Sequence, residues 1–83
     1  MTNPAHKIRM GSLQAVIWRN TAEKGAWYSV QCSRSYKAGD DAWRETDSLG
    51  YEDLLPMAKL LDLAHTWIMH QMASDRKAKK EAA

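Results

Sequence analysis

The sequence predicts an α+β fold in which an antiparallel three- to four-stranded sheet is followed by one long C-terminal helix, in the order β-β-β-(β)-α. Residues 7–48 alternate between apolar and polar side chains, as strands with one buried face do. From residue 53 onward, apolar side chains instead recur every three or four residues, which is the period of a helix. We therefore expect one helix packed on one face of one sheet.

Polar segments that contain glycine divide the alternating region into strands. The turn at residues 37–41 gives the clearest signal, because Gly39 tolerates positive φ and Asp40 and Asp41 form local side-chain hydrogen bonds. The expected elements are, in order, strand 7–19 with a bend or bulge at Gly11 and Ser12, loop 20–25, strand 27–36, turn 37–41, strand 42–48 and a short fourth pairing at Leu49.

The helix is expected to begin near Asp53, with Pro56 in its first turn, where the missing N–H costs nothing. Its apolar stripe is too wide for a small sheet to cover. This surplus predicts a homodimer in which the C-terminal helices meet. The domain is expected to span residues 7–73, between a flexible arm at 1–6 and a basic tail at 74–83.

Composition indicates one small intracellular domain of 83 residues. The single cysteine, Cys32, excludes an internal disulfide and fits a reducing cytoplasm. No segment is apolar enough to predict a membrane partner. The formal net charge of +2 conceals a strong division along the chain: residues 1–39 carry six Lys or Arg against one acid, whereas residues 40–73 carry two against seven.

Aromatic residues lie within the basic segment. By alternation, one face of the sheet carries Trp18, Trp27 and Trp43. Nucleobases stack on aromatic rings while cations neutralise phosphates, so such a face suits a single strand of nucleic acid. The alternative is that these rings pack in the core or in a dimer interface. Trp67, on the helix, is expected to lie in the core. The candidate binding residues are Arg9, Trp18, Arg19, Trp27, Arg34, Tyr36, Lys37, Trp43 and Arg44.

Residue types typical of metal or catalytic sites are present without the spacing that such sites need. His65 and His70 are five residues apart and do not share a helical face as an i, i+4 pair does. Neither a closed set of zinc ligands nor a phosphate-binding glycine loop occurs in the sequence. We therefore expect no metal, no cofactor and no enzymatic activity.

The element order over Lys7 to Met72 resembles the single-stranded-DNA-binding fold of transcriptional positive-cofactor coactivators and Whirly proteins. That resemblance implies a curved sheet that grips DNA and a helix that pairs two subunits. The chain is also similar to short uncharacterised bacterial proteins often associated with mobile elements. The similar runs are Ile17-Trp18-Arg19-Asn20, Ser33-Arg34-Ser35-Tyr36-Lys37, Thr46-Asp47-Ser48, Asp53-Leu54-Leu55 and Ala64-His65-Thr66-Trp67-Ile68.

The leading hypothesis is a dimeric module that binds single-stranded DNA with little sequence readout. Glu45 and Asp47 argue against it, because by alternation they share a side with Trp43 and would repel phosphate. Either the site is confined to the first two strands or the hypothesis is wrong. The alternative is a protein–protein interaction module, for example an accessory or inhibitory protein of a mobile element, anchored by Trp and Arg.

Overall fold

Four antiparallel strands and one long helix make up the structure, a computed structural model that describes residues 3–82, with side chains for residues 3–77. The strands form one sheet in the order β1-β2-β3-β4, so neighbours in the sheet are neighbours in sequence. This confirms the predicted α+β layout. The elements are β1 (His6–Met10), β2 (Leu13–Ala22), β3 (Gly25–Lys37), β4 (Trp43–Thr46), a 3₁₀ turn (Tyr51–Asp53) and α1 (Leu54–Ala82).

The bend predicted at Gly11 and Ser12 is a complete reversal of the chain. Met10 pairs with Leu13 across a two-residue turn, and Gly11 has a φ of 61°. Glycine at the first central position with positive φ is typical of a type II′ hairpin turn, which antiparallel strands favour. The predicted strand 7–19 is therefore two strands, β1 and β2, which brings the number of strands to four. The expected fourth pairing at Leu49 is wrong, since Leu49 lies outside every strand.

The turn between β3 and β4 uses an aspartate where the sequence suggested glycine. Asp41, not Gly39, has the positive φ, at 65°. Short polar side chains tolerate this conformation better than most. Asp40 makes the expected local contact, since its Oδ1 accepts a hydrogen bond from the Ala42 N–H at 3.3 Å.

Regular backbone structure continues on both sides of the predicted domain, residues 7–73. Residues 1 and 2 of the predicted arm lie outside the described residues. Ala5 donates its N–H to the carbonyl of Ile17 at 2.8 Å, so the end of that arm continues the β1–β2 pairing. At the other end α1 runs through Ala82, so residues 74–82 of the basic tail have helical backbone.

The core lies between β2 and the side of α1 that faces the sheet. Leu13, Ala15 and Ile17, at alternate positions of β2, are buried against helix residues spaced by three or four. The buried helix residues are Met57, Leu60 and Ala64. Each of the six is at most 4% exposed.

The beginning of α1 is fixed by a carboxylate. Asp53 accepts a hydrogen bond from the Gly50 N–H at 2.9 Å, which satisfies a backbone donor that the helix leaves without a partner. Leu54 is the first residue of α1, so Pro56 lies in the first turn as predicted. Farther along, Trp67 is half-buried and stacks on His6 with ring centroids 4.8 Å apart.

The outer side of α1 carries several exposed apolar side chains that no described residue covers, as the width of its stripe predicted. The exposed large side chains include Leu55, at 82%, and Met69, at 56%. Despite this apolar character, no helix within residues 3–82 combines the length and the hydropathy that crossing a bilayer requires. The exposed apolar residues of α1 are Leu54, Leu55, Leu61, Leu63, Met69 and Met72.

Candidate nucleic-acid interface

The sheet has one face covered by α1 and one face without any packed element among the described residues. We call these the covered face and the open face. The pairing register assigns each strand residue to one of them, because neighbouring residues directly opposite each other point to the same side. The open face consists of Lys7, Arg9, Gln14, Val16, Trp18, Asn20, Trp27, Ser29, Gln31, Ser33, Ser35, Lys37, Trp43 and Glu45.

Five of the nine candidate residues lie on the open face, and four do not. The nine candidates therefore do not all share one face of the sheet. The reason is the two-residue period of a strand, which sends successive side chains to opposite faces and so splits runs such as residues 34–37. The open face holds Arg9, Trp18, Trp27, Lys37 and Trp43; the covered face holds Arg19, Arg34, Tyr36 and Arg44.

On the covered face, Arg19 connects the sheet to the far half of α1. Its Nε donates to the Tyr28 hydroxyl at 3.2 Å, and that hydroxyl donates to Asp75 at 2.8 Å. Arg19 also pairs directly with Asp75 at 3.4 Å. The hydrogen bond from Tyr28 lowers the pKa of the Asp75 carboxyl, and burial raises the pKa of Tyr28. Arg19 is thus part of a contact between helix and sheet.

Arg34 makes the equivalent contact at the beginning of α1. Its Nε lies 3.4 Å from Asp53, the carboxylate that caps the helix, and donates to the Ser48 carbonyl at 3.2 Å. Its guanidinium carbon also lies 5.9 Å from the centre of the Tyr36 ring, within the range of a cation–π interaction. Arg34 therefore positions the helix, and strand alternation separates it from Lys37 on the open face.

The open face has aromatic side chains at both ends. Trp18 and Trp27 are diagonal neighbours at the end nearest the β2–β3 turn, since Trp18 pairs with Ser29 and Trp27 with Asn20. The Trp18 indole N–H donates to Gln31 Oε1 at 2.9 Å, which fixes the ring. Trp27 is 56% exposed. This end offers one oriented indole and one accessible indole.

The opposite end combines a cation with the most exposed tryptophan. Arg9 and Trp43 line the same cleft, of about 410 Å³, together with the β1–β2 turn and Ser35. Trp43 is 70% exposed. Among the described residues, no salt bridge engages Arg9, whereas the other four cationic candidates each have an acidic partner. The cleft thus presents an available guanidinium beside an available ring.

The acidic partners of Lys37 and Arg44 neutralise part of the predicted positive charge. Lys37 lies 3.4 Å from Asp41, and Arg44 lies 3.2 Å from Asp40, both within the β3–β4 turn. All four side chains are more than half exposed. Exposed pairs of this kind contribute only about 0–1 kcal/mol, so the aspartates hold these two cations weakly.

Amide and hydroxyl side chains connect the strands in the middle of the open face. Gln14 is only 5% exposed, and its Nε2 donates to Ser33 Oγ at 2.8 Å and to Glu45 Oε1 at 2.7 Å. Asn20 donates to Ser29 Oγ at 3.2 Å. Glu45 therefore does share the face with Trp43, and it contacts the second strand.

The residues of this surface that were not among the sequence-based candidates include one lysine and two serines that lie toward or in the Arg9–Trp43 cleft. Lys7 lies on the open face opposite Val16, and strand alternation with Arg9 was the signal for it. Ser12 and Ser35 line the Arg9–Trp43 cleft. They meet because the Ser35 N–H donates to the Ser12 carbonyl at 2.8 Å, a contact between residues distant in sequence. No local pattern indicates it.

Comparison with known proteins gave no match to a family model, to a curated protein or to a solved structure. The resemblance to single-stranded-DNA-binding folds therefore stays a prediction, and the function has to be argued from the geometry of the open face.

Proposed function

We propose that the protein is a non-enzymatic module that binds single-stranded nucleic acid, preferably DNA, on its open face. The observation that carries the proposal is the cleft that Arg9 and Trp43 share, since stacking and phosphate neutralisation are the two contacts by which single strands are held. Lys37 is the partner of Trp43 and lies ten residue steps beyond Trp27 in β3. At a rise of about 3.3 Å per residue, these steps span about 33 Å. A bound strand would cross the sheet between the two aromatic ends.

Oligonucleotide titration tests this proposal. Trp43→Ala is expected to weaken binding of oligo-dT by about 1–3 kcal/mol, the contribution typical of one base–aromatic stack. Tyr51→Ala provides a matched control, because Tyr51 is 88% exposed but lies in the 3₁₀ turn before α1 and not in a strand of the open face. Absence of any binding at low salt, measured by tryptophan fluorescence and by anisotropy of a labelled oligonucleotide, would refute the proposal. Competition with duplex DNA and with RNA tests the preference for single-stranded DNA.

A protein ligand is the second candidate, and the position of Glu45 on the open face favours it. The carboxylate repels phosphate but would attract a basic partner. Replacing Glu45 and Asp47 together by lysine distinguishes the candidates: nucleic-acid binding should become tighter, whereas capture of a basic partner should become weaker. Tighter binding of oligo-dT by this variant supports the first candidate.

The outer side of α1 is proposed to pair with a second copy of the chain. Its exposed leucine and methionine side chains form the kind of apolar patch that marks an interaction site. Charge favours the antiparallel arrangement, because Glu52 precedes the helix while Arg76 and Lys77 lie near its end. Two antiparallel copies bring these opposite charges together, and their helix dipoles oppose each other favourably.

Met69→Lys tests the dimer, since Met69 is exposed and its replacement leaves the monomer's core intact. The variant is expected to be monomeric by light scattering at concentrations where the wild-type chain is dimeric. His70→Lys introduces a lysine one position onward, about 100° around the helix, and should leave the dimer intact. A wild-type chain that remains monomeric at high concentration would exclude this part of the proposal.

A further inference from the structure

A second cavity, of about 390 Å³, lies in the middle of the open face, and Gln14, Gln31, Glu45 and Asp47 are among the residues that line it. We propose that this cavity holds a nucleobase with an exocyclic amino group in preference to thymine or uracil. This inference rests on the proposed nucleic-acid function and adds a base preference to it. It would also give the acidic residues of the open face a role.

Gln14 is the first indication of a ligand that donates hydrogen bonds. An amide nitrogen has two protons, and both are used in the contacts to Ser33 and Glu45. The amide is thereby held in one orientation in a side chain that is 95% buried. No described residue donates a hydrogen bond to its Oε1. No buried side-chain oxygen or nitrogen among the described residues lacks a partner, so this oxygen reaches solvent, and its fixed orientation lets it accept from a donor group of a ligand.

The carboxylates provide the second indication. Glu45 uses one oxygen to accept from Gln14 and retains further acceptor capacity, and Asp47 lines the same cavity. Ionised carboxylates only accept hydrogen bonds, and a carboxylate accepting from the amino group of cytosine is a recognised pairing. Thymine offers these acceptors only its single N3–H, and its O4 carbonyl is a further acceptor, whereas an amino group offers two protons. An amino-bearing base therefore satisfies more of the acceptors in the cavity than thymine does.

Gln31 supplies a complementary donor beside these acceptors. Its Oε1 accepts from the Trp18 indole, so the amide orientation is set and the Nε2 protons remain for a ligand. Cytosine and adenine carry a ring nitrogen acceptor next to the amino group. An amino-bearing base can thus satisfy both the acceptors and the Gln31 donor, while Lys7 and Arg9 on the neighbouring strand remain for phosphate.

The test uses the full chain and fluorescently labelled oligo-dT in which the central thymidines are replaced by dC or by dA. Wild-type protein is expected to bind the substituted oligonucleotides about tenfold more tightly than oligo-dT. Glu45→Gln retains an oxygen that can accept from Gln14 but loses the charge and gains a donor. It should therefore lose most of this preference and bind oligo-dT at least as tightly as wild type. Asp62→Asn, which removes an acid of α1 that pairs with Lys59 and does not line the cavity, should preserve the preference.

The outcomes separate this inference from the proposed function. Equal wild-type affinity for all the oligonucleotides would overturn the base preference while leaving single-strand binding intact. A preference that Glu45→Gln and Asp47→Asn both retain undiminished would also overturn it. Failure of every oligonucleotide to bind at low salt would overturn both proposals. Loss of preference in Glu45→Gln with oligo-dT binding retained supports the inference.

Discussion

The two faces of the sheet use similar residues for different purposes. On the covered face, Arg19 and Arg34 lie beside carboxylates of α1 and of the turn that precedes it. On the open face, Arg9 has no such partner among the described residues and lies beside an exposed indole. Arginine side chains thus hold α1 against the sheet on the covered face, whereas the arginine of the open face remains available to a ligand. The comparison shows that position relative to α1, more than residue type, separates structural cations from candidate binding cations.

The largest expected difference between the faces is in stability. Leu60 is fully buried against the covered face, so Leu60→Ala should lower the free energy of unfolding by about 2–5 kcal/mol. Trp27→Ala on the open face should change it by no more than about 0.5 kcal/mol, because more than half of that side chain is exposed. Urea denaturation of the two variants checks this, and a severe loss of stability in Trp27→Ala would show that the ring belongs to a core.

A smaller effect should distinguish the arginines of the two faces. Arg34→Ala removes the contacts to Asp53 and Ser48 and is expected to cost about 1 kcal/mol of stability. Arg9→Ala should leave stability unchanged and instead reduce the slope of log affinity against log salt by about 0.7, the value for one phosphate contact on a single strand.

Denaturation curves and salt titrations of both variants provide these measurements. If Arg34→Ala lowers the salt slope as much as Arg9→Ala does, the division of roles between the faces is wrong. Arg44, whose partner Asp40 is also exposed, should give an intermediate result.

The smallest effect concerns the pH dependence of the contact between Arg19, Tyr28 and Asp75. The folded-state pKa of Asp75 is lowered, so its contribution is complete above the ordinary carboxyl pKa near 4 and is lost as pH falls through the lower folded value. The stability difference between wild type and Asp75→Asn should therefore shrink on acidification from about pH 6 to about pH 2.

Thermal unfolding at several pH values measures this difference. Asp62→Asn is the matched control, because Asp62 contacts Lys59 on its own helix and no residue of the sheet in the described part of the chain. A difference for Asp75→Asn that stays constant over the whole pH range would contradict the assigned role of Tyr28 in lowering the Asp75 pKa.

Local patterns in the sequence were sufficient for the fold class and for much of the face assignment. Alternation placed Leu13, Ala15 and Ile17 together on one side and the tryptophans of the strands on the other, because side-chain direction in a strand has a fixed period. The same rule separates Arg34 and Tyr36 from Lys37, a division that the net charge of the whole segment does not reveal. The Gly11-Ser12 reversal also had a local signal, since Gly-Ser between two alternating runs is typical of a tight hairpin.

The sequence by itself determined the order of sheet and helix, the inner stripe of α1 and the excess of apolar surface on its outer side. These follow from periodicity, which is a property of consecutive residues. Only the tertiary structure decided which cations are neutralised and which residues share a cleft. Arg19 meets Asp75, and Gln14 meets Glu45, across long separations in the chain. Such contacts depend on register and on the path of the helix, and no local pattern records them.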